Sequence, residues 1–260
     1  TSVTLRGHNG NDTLIGSDIN DALLGDAGND TIDGRAGNDK LSGAAGRDIL
    51  IGGDGNDRLR GQGSSFDTLI GGLGDDTLDG GAGTDVVMES GNVDFILTAS
   101  SLTGLGTDTI IRVETAHLIG GDGDNTIDIS GFVPTYPPTL DGGTGNDQLT
   151  GSSFMDLLRG QGGNDTLTGG GGNDFLQGGA GNDQLLGGDG TDGLSGGSGD
   201  DTLFGQLGDD IAYGGSGDDS IRGEAGSDTI FGGADSDDVD GGVDTDQVAG
   251  GSGEGSADAG

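Results

Sequence analysis

Aspartate returns every ninth residue over most of this 260-residue chain. From Gly142 to Ala249 the period holds without insertion, at Asp147, Asp156, Asp165, Asp174, Asp183, Asp192, Asp201, Asp210, Asp219, Asp228, Asp237 and Asp246. From Gly7 to Met88 the same phrase places Asp12, Asp21, Asp30, Asp39, Asp48, Asp57, Asp67, Asp76 and Asp85, with one copy, Gly61 to Ile70, a residue longer. Each aspartate closes a stretch rich in Gly and Asn, as in Gly178-Gly179-Ala180-Gly181-Asn182-Asp183. Such a turn offers carboxylate and carbonyl oxygens together. The chemistry this suits is the holding of a hard cation such as calcium, which takes six to eight oxygens at about 2.3–2.6 Å. One turn supplies too few ligands; two stacked turns with an ion between them supply enough. Turn formation alone would admit Asn or Ser at the sixth position, yet all 21 regular copies carry Asp.

The last three residues of each copy must position that turn. The eighth residue is aliphatic throughout, for example Leu149, Leu158, Leu167, Leu176, Leu185 and Leu194. Arg58-Leu59-Arg60 and its equivalents read as a three-residue strand whose middle side chain faces inward while its neighbours face out. The first six residues read as turn, with Gly supplying positive φ and Asn tolerating it.

The phrase Gly-Gly-x-Gly-x-Asp-x-aliphatic-x resembles the RTX, or haemolysin-type calcium-binding, repeat family over most of the chain. The resemblance implies an all-β fold, a parallel β-roll or β-helix solenoid in which two repeats make one coil. It also implies ions held between turns two repeats apart, by the sixth-position aspartate and turn carbonyls. Pairs would be Asp165 with Asp183 and Asp174 with Asp192. The nine and twelve copies allow seven and ten stacked pairs, a ceiling of about 17 calcium ions. Ile19, Phe154, Asp235 and Asp244 stand at the fourth position, where Gly is usual, and predict distorted or weaker sites.

Four segments follow from the period: repeats at 1–88, a spacer at 89–141, repeats at 142–249, and a decayed tail at 250–260. The spacer has β-like stretches at 93–97, 109–113 and 126–130, and all three prolines, Pro134, Pro137 and Pro138. Its copy at Gly120 to Asp128 has Asn125 in place of Asp. A less regular β-helical spacer with wider coils and less calcium is expected.

Composition narrows the function. Of the residues, 64 are Gly, 46 Asp or Glu and only 9 Lys or Arg, a formal charge of −37. Apolar residues are 29%, a balance that ordinarily belongs to a disordered chain, so something beyond apolar burial must order it. The charge excludes nucleic acid as a partner. No apolar run has the length of a membrane span, and no Cys is present for disulfide or thiolate sites. Thr1 begins no charged-then-apolar leader, which suggests a processed chain or part of a longer one. His8 and His117 read as solvated, and no catalytic constellation is apparent, so no enzyme is expected. The reading is a calcium-binding structural repeat module of a secreted protein, folding on calcium outside the cell. The alternatives are a cell-surface adhesin, fibril or surface-layer component, or the carrier region of a secreted enzyme. Outward positions near Phe175, Leu186, Phe204, Tyr213 and Phe231 are apolar, a candidate face for self-association or a partner chain.

Overall fold

The computed structural model describes residues 2–252 and 255–259. Thr1 and part of the expected tail, residues 253, 254 and 260, lie outside them. The described residues form strands and turns with no helix, hence none long and apolar enough to cross a membrane. They group into two compact units. The first comprises Thr1–Gly91, Phe95–Leu118 and Pro134–Tyr136; the second comprises Asn92–Asp94, Ile119–Val133 and Pro137–Gly260.

Each unit is a parallel β-solenoid. Successive repeats alternate between two sheets, and a strand pairs with the strand two repeats away. In the second unit Leu185 lies opposite Leu203 in one sheet, and Leu176 opposite Leu194 in the other. In the first unit Leu41 faces Leu59, and Leu50 faces Leu69. The extra residue of the longer copy is absorbed in its turn, because the latter pair stays in register.

The strands are longer than the expected three residues. Gln184–Asp189 and Thr202–Leu207 each take the end of one repeat and the first three residues of the next. The chain bends at Gly188, whose φ is +117°, yet pairing resumes with Gly188 opposite Gln206 and Asp189 opposite Leu207. The Gly-Gly dipeptide therefore kinks a strand that continues, and the turn shrinks to positions four to six.

The core is two columns of aliphatic side chains per unit. Leu167, Leu185 and Leu203 are fully buried in one sheet, and Leu158, Leu176 and Leu194 are buried in the other. One inward residue per repeat fills the narrow space between the sheets, which is why a chain with so few large apolar residues can have a continuous core. At the end of the first unit the solenoid is interrupted. Phe95–Thr98, Ser101–Thr103 and Thr107–Ile111 form an antiparallel meander, whose last strand rejoins the stack parallel to Thr77–Gly81. In the second unit Thr126–Gly131 pairs parallel with Gln148–Thr150.

Candidate metal centre

The stacking brings the sixth-position aspartates into columns along the sheet edges. In the first unit one column is Asp12, Asp30, Asp48, Asp67 and Asp85, and the other is Asp21, Asp39, Asp57 and Asp76. In the second, Asp147, Asp165, Asp183, Asp201, Asp219 and Asp237 form one column. Asp156, Asp174, Asp192, Asp210, Asp228 and Asp246 form the other. The expected neighbours Asp165 and Asp183, and Asp174 and Asp192, are thus brought together.

Within a column each aspartate backbone N–H donates to Oδ1 of the aspartate two repeats on, at 2.7–3.2 Å. Oδ1 therefore has a structural duty that the period alone does not reveal. Oδ2 is different. In 19 of the 21 copies it is buried and has no hydrogen-bond partner; Asp21 and Asp156 are the exceptions. It packs on the first glycine of its own repeat. A Cβ added to Gly187 would stand 2.5 Å from Asp192 Oδ2 and 2.7 Å from the Gly205 carbonyl oxygen. Only Gly lets the carboxylate and that carbonyl approach so closely. At the fourth position Gly190 has φ +140°, and a Cβ there would be 1.5 Å from the Gly172 oxygen.

Burial of so many anions shows in their proton affinity. It pushes Asp165 and Asp219 up to about 6, Asp201 and Asp210 to about 7, and Asp174 to about 8. A buried carboxylate oxygen with no donor is costly unless a proton or cation meets it. The donor set fits a hard cation: every available ligand atom is oxygen. Among the described residues no three acidic or histidine side chains converge into a cage. Backbone carbonyls of the turns are the further protein oxygens beside these carboxylates.

Asn125 marks the carbonyls that line this pocket. With its amide oriented by the hydrogen-bond network, its nitrogen donates to the Gly120 oxygen at 3.1 Å and the Gly123 oxygen at 2.8 Å. These are the first and fourth carbonyls of its own turn. Where Asp replaces Asn, the same pocket holds only acceptors.

The repeat period missed two acidic members of the columns. Asp76 N–H donates to Asp108 Oδ1 at 2.9 Å, and Asp85 N–H to Glu114 Oε2 at 2.9 Å. Asp108 had a signal, since Gly104-x-Gly106-x-Asp108-x-Ile110 is a degenerate repeat with Thr103 in the first position. Glu114 had none. The fifth residue also builds a column, in the opposite sense: Asn164 N–H donates to Asn146 Oδ1 and Asn182 N–H to Asn164 Oδ1, both at 2.8 Å.

Distortion falls at three of the four flagged copies. The strands before Ile19, Phe154 and Asp244 stop after three residues, at Thr13–Ile15, Gln148–Thr150 and Asp238–Asp240. Asp235 and Asp244 both adopt the positive φ of the missing glycine, at 78° and 85°.

A family model described as the RTX calcium-binding nonapeptide repeat matches the chain in overlapping segments over residues 6–88 and 139–256. No curated protein matches the chain significantly.

Proposed function

Because the chain belongs to the RTX calcium-binding nonapeptide repeat family, we propose that it is a structural module of a secreted protein that folds on binding calcium outside the cell. The observation that carries this reading is the set of 19 buried Oδ2 atoms without a donor. Calcium would supply positive charge between stacked turns, where these oxygens and the turn carbonyls face one another. The candidate ligands are the sixth-position aspartates, most directly the 19 whose Oδ2 has no donor. Their Oδ1 atoms hold the turns in register, and their Oδ2 atoms are left for the ion. Seventeen divalent ions would bring +34 against the formal −37.

The direct test is the number of calcium ions bound per chain, by equilibrium dialysis with metal analysis. Many ions, up to about 17, are expected from the stacked pairs. A chain that binds none in millimolar calcium sinks the reading. Position should matter as well. Asp183 lies between Asp165 and Asp201, whereas Asp246 has a hydrogen-bonded neighbour on one side only. Asp183→Ala should lose two ions and raise the calcium midpoint for folding more than Asp246→Ala. Equal midpoints for the two variants would contradict the stacked-pair arrangement.

A second reading, a surface component that packs laterally, is favoured by one observation. Tyr213 and Phe231 lie side by side on one sheet with rings stacked at 5.0 Å and 8°, and both are exposed. Phe175 is exposed on the same sheet, while Leu186 and Phe204 pair on the other. The test is Phe204→Ser with Phe231→Ser, with assembly size in calcium followed by light scattering. A smaller assembly in the double variant is expected; unchanged assembly, or a monomeric parent protein, refutes this reading.

A further inference from the structure

Two sixth-position carboxylates are satisfied by their own turn. Asp156 Oδ2 accepts from the Ser152 backbone N–H at 2.6 Å and from its hydroxyl at 3.0 Å. Asp21 Oδ2 accepts from the Ser17 N–H at 2.6 Å and from its hydroxyl at 2.8 Å. These are the two copies absent from the set of unpartnered Oδ2 atoms. The cause is local. Ser17 and Ser152 occupy the second position, which is Gly with positive φ in copies such as Gly179 and Gly188. Neither serine has a positive φ. The chain takes another path there, and the serine N–H swings from the sheet toward the carboxylate.

Both copies also stand at the start of their columns. The residue two repeats before Asp156 is Pro138, which has no N–H to donate. Both Asp156 oxygens then turn to Ser152, whose hydroxyl also lies 3.2 Å from Oδ1. At Asp21 the ladder donor is Val3 N–H, at 2.6 Å, a residue with no carboxylate to extend the column.

We infer that the Ser17–Asp21 and Ser152–Asp156 turns are self-capped ends of their carboxylate columns and take no cation. This rests on the calcium reading above and specifies which copies fall outside it. The serine N–H and O–H point into the pocket that a cation would need. An ion entering there would meet the positive ends of two dipoles, and displacing them would leave a buried N–H unpaired. Each end belongs to one stacked pair, so the ceiling of seventeen falls by two. Each block of repeats thus begins one edge with a turn whose order does not depend on calcium.

Crystals of the unmodified chain grown in calcium, with anomalous data collected at long wavelength, test this directly. Calcium peaks are expected beside Asp165, Asp183 and their column neighbours, and none within coordination distance, about 2.3–2.6 Å, of the Asp21 or Asp156 carboxylates. A peak at either overturns this inference and leaves the calcium reading standing. No peaks anywhere overturns the calcium reading and this inference with it. In solution, Asp156→Asn should keep the parental number of bound ions, whereas Asp192→Asn, in the middle of the same column, should lose at least one. Equal losses from both variants overturn the inference.

Discussion

Moved from calcium into excess chelator at neutral pH, the chain is expected to lose its β-sheet circular dichroism and expand. The reason lies in what the fold buries. Each repeat contributes one inward aliphatic residue, while the same repeat brings an aspartate carboxylate into the interior; Asp48, Asp85, Asp156 and Asp174 are fully buried. Without a counter-charge the carboxylate columns repel one another and their Oδ2 atoms face carbonyls. A ligand that binds only the folded form adds about 2.7 kcal/mol per site at a hundred times its dissociation constant. Many sites in one stack make that the dominant favourable contribution. Because each coil contacts only its neighbours, loss should spread along the stack as ions leave. A β spectrum and hydrodynamic radius unchanged by chelator would sink the idea that calcium binding is folding.

The second large effect is an acid rescue of the calcium-free chain. Burial raises the folded-state values of Asp39, Asp48 and Asp57 to about 6, Asp67 and Asp201 to about 7, and Asp174 to about 8, against 3.8 for the free side chain. A raised value means that the folded chain holds more protons than the unfolded one. Its stability is therefore fullest below about 3.8 and is lost as pH rises through about 6 to 8. In chelator, lowering the pH from 7.5 to about 4.5 should restore β-sheet signal, as protons replace cations at the buried carboxylates. With calcium present the same acidification should raise the calcium concentration needed for folding, since proton and ion compete for the same oxygens. A chelated chain no more ordered at pH 4.5 than at 7.5 would refute this; dilute samples keep aggregation from mimicking it.

Much of this was legible because a fixed period leaves few choices. Asp every ninth residue, an aliphatic two places later and Gly before both require a repeating turn and strand, and repetition requires stacking. The register of the longer copy was legible too, since Asp67 and Leu69 keep their places after the added residue. The strand length was misread, because Gly-Gly suggests a turn where the chain in fact pairs through its kink. The role of Asn at the fifth position was read as conformational only. Its side-chain oxygen also accepts an N–H from the next turn of the stack, a contact between residues 18 apart, such as Asn146 and Asn164.

The sequence by itself determined the solenoid, the inward Leu columns and the acidic edges, because each depends only on residue type and spacing along the chain. Tertiary structure alone decided how most of the carboxylates divide their oxygens, Oδ1 to the neighbouring turn and Oδ2 to a pocket lined by acceptors. It also decided that Asp108, in the last strand of the meander, and Glu114, beyond it, take the next places in their columns. Asp108 reaches Asp76 across 32 residues, and Glu114 reaches Asp85 across 29. Those assignments depend on which N–H groups the stack brings within hydrogen-bonding distance. A proline at 138 or a serine at 152 changes that locally while leaving the nine-residue period untouched.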